Sequence, residues 1–220
     1  MKVGTDGVLL GAWADVRGCR EVVDAGTGTG VIALMTAQRL AAADVSSWHV
    51  TAVELDADAA AQAAGNVAAS AWHERIGVVQ GDFRSLSLPA ADLVLCNPPF
   101  FSRSLRCPDE GRSTARHDDS LTLQDLACAC ARILREEGRL AVVLPYDRRD
   151  EMMVVAASQS LFLSRQTAVY SVRGKEPKRI LQEYSRQGTN PALTTLCIEE
   201  HAGVYSDEYR ALVHDFYLHM

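Results

Sequence analysis

The stretch Glu21-Val-Val-Asp-Ala-Gly-Thr-Gly-Thr-Gly-Val31 constrains the fold more than any other part of the chain. An apolar strand ends at Asp24-Ala25, glycines follow at 26, 28 and 30, and Val31, Leu34, Met35 and Leu40 then recur at helical spacing. A strand handed to a helix through a glycine loop is half of a βα unit, and strands joined through helices lie parallel.

The alternation returns along the chain. Trp48 to Val53 reads as a second strand ending at Glu54, and Asp56 is placed to cap an alanine-rich helix running to about Ser70. Ile76 to Gln80 is a third strand, closed by Gly81-Asp82, and Asp92 to Cys96 a fourth. Residues 101–119 form a polar, arginine-bearing loop on the expected substrate side. Leu121 to Glu137 reads as a helix with Leu123, Leu126, Ala127, Cys130, Ile133 and Leu134 inward, stopped by Gly138, and Arg139 to Leu144 as the fifth strand. Arg148 to Leu161 suits another helix. Three strand-like runs follow, Gln166 to Val172, Arg179 to Tyr184 and Leu193 to Ile198, with no room for a crossover helix, so antiparallel pairing is expected there. A short helix carrying Trp13 opens the chain; a helical tail from Ser206 closes it, with Tyr209, Leu212, Val213, Phe216 and Tyr217 on one face. The pattern predicts an α/β fold: a single doubly wound, Rossmann-like sheet, mostly parallel with an antiparallel C-terminal edge, in one domain over 1–220.

Composition removes several classes. No run approaches the roughly eighteen apolar residues of a membrane-spanning helix, so no membrane partner is expected. A formal charge of -6 argues against a surface that is basic throughout. Local clusters stand out against it: Arg103, Arg106, Arg112 and Arg116 in the 101–119 loop, and Arg173, Lys175, Lys178 and Arg179 in the 173–220 region. Solvated loops are the plain reading of both. The six cysteines, at 19, 96, 107, 128, 130 and 197, show neither C-x-x-C nor zinc-ligand spacing. No metal is expected; with no signal peptide, a reducing cytoplasm and a monomer are.

Three acids end three consecutive strands. Asp24 before the glycines would repel a pyrophosphate but can hold an ammonium, directly or through water. Glu54 is placed to accept both hydroxyls of a ribose, and Asp82 to accept from an adenine amino group. Capping or turn roles for Asp24 and Asp82 are the competing reading. Together the three fit S-adenosyl-L-methionine, which carries a ribose, an adenine and an ammonium but no phosphate. Gly26, Gly28 and Gly30 allow its close approach.

Asn97-Pro98-Pro99-Phe100 ends the fourth strand, where open α/β sheets hold their ligands. The Asn97 side-chain oxygen and the Pro98 carbonyl are expected to accept both N–H bonds of an exocyclic amine, raising electron density on nitrogen, while Phe100 stacks on the base. Asn97, Pro98 and Phe100 are therefore the candidate catalytic residues. A rigid turn and a core ring are the structural alternative.

Asp24-Ala-Gly-Thr-Gly-Thr-Gly30 and Asn97-Pro-Pro-Phe100 resemble the amino methyltransferases with the seven-stranded S-adenosylmethionine fold. The opening Met1-Lys-Val-Gly-Thr-Asp-Gly-Val-Leu-Leu-Gly-Ala-Trp13 resembles the signature of the bacterial tRNA1(Val) (adenine(37)-N6)-methyltransferase family. Ala52-Val-Glu-Leu55, Ala115-Arg-His117, Glu137-Gly138, Val143-Leu-Pro145 and Phe216-Tyr-Leu218 support it over essentially the whole chain. The resemblance implies S-adenosylmethionine against Gly4, Thr5, Asp6, the Asp24 to Gly30 loop, Glu54, Asp82 and Asn97. It implies a flipped adenine from a tRNA anticodon loop between Asn97 and Pro99-Phe100, with Phe100 where many relatives have tyrosine, and tRNA contacts at Arg116, Lys178 and Arg179. Relatives carry an aromatic- and lysine-rich stretch before the Lys2 to Asp6 signature; its absence here leads us to expect a cofactor pocket more open on that side. Three other functions compete. A protein glutamine N5-methyltransferase presents the same geometry to Asn-Pro-Pro but usually carries a preceding helical domain. A non-catalytic RNA-binding module would have lost the acids and Asn97, and a dinucleotide oxidoreductase would need a pyrophosphate beside Asp24.

Overall fold

The computed structural model describes residues 4–43, 46–99, 121–188 and 190–217. Their elements alternate as the apolar runs require: α1 (Thr5–Trp13), β1 (Glu21–Ala25), α2 (Val31–Ala42), β2 (His49–Glu54), α3 (Ala57–Ala68), β3 (Ile76–Gln80) and β4 (Ala91–Cys96). Then follow α4 (Leu123–Ile133), β5 (Leu134–Pro145), α5 (Arg149–Ser158), β6 (Phe162–Val172), β7 (Pro177–Ser185), β8 (Ala192–His201), β9 (Val204–Tyr205) and α6 (Asp207–Val213).

All nine strands join one sheet in the order β3-β2-β1-β4-β5-β7-β6-β8-β9. β1 to β5 are mutually parallel, and β7 lies antiparallel between β5 and β6. The chain leaves β1 to one side for β2 and returns to the other for β4. Sequential order therefore reverses between β1 and β4, which opens a crevice at their carboxyl ends.

Two apolar clusters cover the faces. On one, α1, α2, α3 and α6 pack over Val22, Val50, Leu93, Val143 and Leu181; on the other, α4 and α5 pack over Val23, Val94, Val142 and Ile180. Alternate residues of one strand thus enter opposite cores, and the central strands β1, β2 and β4 are covered on both faces, while β3 at the edge is only half-buried. Helix α1 is buried from Gly7 through Trp13, consistent with a sequence apolar on every side. Its Trp13 Nε1 donates to Thr167 Oγ1 of β6 at 2.8 Å, and Arg165 stacks over the indole at 3.7 Å. This anchor holds the far end of α1, whose N-terminal turn overhangs the crevice.

The structure differs from the sequence reading in three places. The seven-stranded sheet is present as β1 to β7 and is extended by β8 and β9. β8 does run opposite to β7, but both edges of β7 are taken, so β8 passes over to the free edge of β6 and pairs with it in parallel, Arg165 opposite Ala192. Helix α4 ends at Ile133 rather than Glu137: Leu134 already pairs with Ala91, and the register slips before Arg139 meets Leu93. Arg135 in the slipped segment pairs with the Asp92 carboxylate.

Gly138 closes that irregularity because only a residue without Cβ fits. A Cβ there would lie 2.8 Å from Ala91 O and 2.9 Å from Arg135 N, both backbone atoms. Gly138→Ala is expected to lower unfolding free energy by about 1–3 kcal/mol in denaturant titrations, an overpacking cost; a midpoint equal to the parent's would show that the irregularity yields freely.

Candidate active site

At the crevice, the β1–α2 loop is fastened to the end of β2. Gly26 N and Thr27 N both donate to Val53 O at 2.9 Å, and Gly28 N donates to Glu54 Oε2 at 2.8 Å. Gly26, Gly28 and Gly30 hold positive φ (73°, 58° and 84°), a region costly for residues with a Cβ, so the alternating glycines follow from this path. Glu54 also accepts from Asp56 N at 3.0 Å, and Asp56 caps α3 through Ala59 N.

Two adjoining cavities share Gly26, Glu54, Pro98 and Pro99. The larger, of about 440 Å³, is walled by Gly4, which caps α1, by Asp6 and Gly7 of its first turn, by residues 26–29 of the glycine loop, and by Asn97. The smaller, of about 140 Å³, is an apolar slot between Leu55 and Phe83, with Asp82 at its edge.

All the expected site residues except Phe100 and Arg116 fall among the described ones. Asn97 is half-buried on the wall, Pro98 buried and Pro99 exposed at the rim. No described residue donates to the Asn97 side chain or to the Pro98 carbonyl. A Cβ at Gly7 would come within 4.0 Å of Asn97 Nδ2, so the first turn of α1 lies directly over this amide. Gly4 and Asp6 line the large cavity; Thr5 is exposed and does not, and Gly30 stands back as the N-terminal cap of α2. Phe100 and Arg116 lie outside the described residues.

Three expectations change. Asp24 is fully buried and absent from both cavity walls: its Oδ2 accepts from Thr27 Oγ1 and from Ala33 N at 3.1 Å, while Oδ1 has no partner. Its residue position in a strand covered on both faces sends the carboxyl under the start of α2, where it caps the helix. Burial pushes its pKa up to about 7. Asp82 keeps its place beside the slot, but Arg84 grips the carboxylate at 2.7 Å and holds its pKa low, so any adenine contact there uses the remaining lone pairs. Arg179 is not free for phosphate alone, because its Nε donates to Asp6 Oδ2 at 2.8 Å; Lys178 is exposed.

Leu55, Phe83 and Leu121, which line the slot, escaped the sequence reading. Leu55 was detectable: a large apolar residue directly after the strand-end acid, it is 45% exposed. The carboxylates of Glu54 and Asp6, the glycine cradle and the apolar slot fit an adenosine bearing an amino-acid head. Glu54 has a lone pair left on each oxygen for two hydroxyls.

The family model described as Methyltransferase small domain matches residues 7–172. A predicted O-methyltransferase from Agrobacterium tumefaciens superposes with a TM-score of 0.71 at 20% identity, covering 96% of each chain. The glycopeptide N-methyltransferase MtfA, solved with S-adenosyl-L-methionine, gives 0.60 at 14% identity over 85% of this chain and 90% of its own. Fold and family model together place the chain among the class I methyltransferases. A relative from Phocaeicola vulgatus is 46% identical over 223 residues, all of this chain and 92% of its own length; one from Tolumonas auensis is 41% identical over 220 residues, all of this chain and 91% of its own. Both bear the name tRNA1(Val) (adenine(37)-N6)-methyltransferase, and the chain belongs to that family.

The raised pKa of Asp24 gives a pH test. Its folded-state value lies above the ordinary 3.8, so its contribution to stability is complete below about pH 4 and is lost as pH rises through about 7. Asp24→Asn cannot ionise; its unfolding midpoint relative to the parent should climb between pH 5.5 and pH 8. A constant difference would mean that the carboxyl does not change charge there.

Proposed function

We propose that this protein methylates N6 of an adenine in tRNA with S-adenosylmethionine, the target being adenine 37 in the anticodon loop of tRNA1(Val), as in the name its relatives share. The observation that carries the reading is that Asn97 and Pro98, at the end of β4, line a cavity that also holds Asp6 and Glu54, with no described residue donating to the Asn97 side chain or to the Pro98 carbonyl.

The exocyclic amine of adenine has two N–H bonds and a lone pair delocalised into the ring. Accepting from both N–H bonds restores charge to nitrogen as it attacks the methyl carbon and the S–CH3 bond breaks; one N–H proton then leaves to water, so a strong base is not required. S-Adenosylmethionine, when bound, supplies a methyl group made electrophilic by sulfonium. The glycine loop and Glu54 orient the cofactor, Leu55 and Phe83 enclose a flat ring, and Pro98 stiffens the acceptor turn so that its carbonyl stays aimed. Phe100 is the ring proposed, on sequence grounds, to stack on the base, and Arg116 a phosphate contact. An anticodon-loop adenine is already unpaired, which lowers the cost of extruding it. The reading carries with it a monomer in the cytoplasm; all five described cysteines are free thiols.

Asn97→Ala should cut turnover roughly 10²-fold or more, the scale for losing one preorganised transition-state hydrogen bond, with cofactor affinity nearly unchanged. A nucleoside digest of unmodified tRNA after reaction, scored for N6-methyladenosine, reads this directly; parental turnover in the variant removes Asn97 from the acceptor site. Lys178→Ala should weaken tRNA binding and reduce the slope of log K against log salt by about 1. An unchanged slope would count against a phosphate contact.

A further inference from the structure

Asp6 and Arg179 are 173 positions apart in sequence and meet at the rim of the larger cavity. Arg179 Nε donates to Asp6 Oδ2 at 2.8 Å, and its Nη1 donates to the Lys178 carbonyl at 3.0 Å. Asp6 belongs to the first turn of α1 and lines the cavity; Arg179 is the third residue of β7, opposite Pro145 at the carboxyl end of β5. The two side chains are 24% and 37% exposed, and a solvent-screened pair of this kind holds only weakly, so its separation is cheap.

The cavity offers an ammonium few anions. Glu54 already accepts a backbone amide on each oxygen, and Asp24 is sealed behind the glycine loop. Asp6 Oδ1 receives no described donor. The α-ammonium of an amino-acid head therefore finds Asp6 the least committed described carboxylate on the wall, and it competes there with the Arg179 guanidinium.

We propose that Arg179 is a positioning residue shared between two anions, the Asp6 carboxylate and an RNA phosphate, so that an amino-acid head in the cavity strengthens RNA binding. The ligand classes rest on the function proposed above. An ammonium at Asp6 releases Arg179 Nε, leaving its fork open to phosphate beside the exposed Lys178. By linkage, a phosphate on Arg179 returns Asp6 to the ammonium and tightens the cofactor by the same factor. Because one ion pair is exchanged for another, the coupling belongs at the low end of the usual range, about 5-fold.

The test is a fluorescence-anisotropy titration of a labelled valine-tRNA anticodon stem-loop with the 220-residue protein alone, with saturating S-adenosylhomocysteine, and with saturating methylthioadenosine. Both ligands carry the adenosine and a thioether, neither can donate a methyl group to the RNA, and only the first has the amino-acid head. S-Adenosylhomocysteine should tighten RNA binding about 5-fold, methylthioadenosine not at all once calorimetry confirms its occupancy. Arg179→Gln should abolish the difference between the ligands and Arg179→Lys should retain part of it. Equal tightening by both ligands, tightening by neither, or the full effect in Arg179→Gln overturns the inference while leaving the proposed function standing. If S-adenosylhomocysteine or the stem-loop fails to bind the parent protein, both fall together.

Discussion

One carbonyl organises the ligand end of this sheet. Val53 O accepts from both Gly26 and Thr27, using both of its lone pairs, and so bends the chain leaving β1 across the end of β2. The clasp exists because β1 and β2 are parallel in a register that sets Ala25 opposite Val53. From there Gly28 reaches Glu54, and Glu54 reaches the start of α3 through Asp56 N. Glu54 is thus both a builder of the site and a part of its wall. The left-handed conformations at positions 26, 28 and 30 are what make the turn short enough; each would cost about 1–2 kcal/mol with a side chain.

Three acids that look equivalent along the chain have three fates, and the difference is one of burial and partners. Glu54 stands at the strand end with two backbone donors and spare lone pairs. Asp82, beyond the end of β3, is drawn down by the Arg84 guanidinium. Asp24 is one residue short of the end of β1 and shares its face of the sheet with Val22, beneath α2. It has no water to solvate it and too few donors to replace that water, so the neutral form gains and the pKa rises.

Most of the fold was legible because the parallel strands are apolar runs bounded by turn residues, and because caps such as Asp56 mark a helix start by their own chemistry. Legibility failed where partners are remote in sequence. Nothing in Leu193 to Ile198 says that β7 is already flanked on both sides and that β6 is the free edge. The Ile133–Leu134 boundary was hidden because both residues are buried, so a helical period runs on unbroken into the strand. In the site, spacing located the strand-end acids but not their direction. The period of two in β1, together with helices on both faces, decides that Asp24 turns inward, and the second half of that argument comes only from the topology.

Charge is divided between the two halves of the site. The larger cavity carries Asp6 and Glu54 on its wall and no lysine or arginine among the described lining residues; Lys178 and Arg179 stand outside it. A sulfonium amino acid is a cation at its reacting end and at its ammonium, and acids favour it there. RNA, a polyanion, is repelled by that interior and by a chain of formal charge -6, and it gains only where the rim is basic. A single extruded base, uncharged, can cross from one region to the other. Under the function proposed above, Asn97 and Pro98 stand where the neutral nucleobase would meet hydrogen-bond acceptors while its phosphates stay outside beside Lys178 and Arg179.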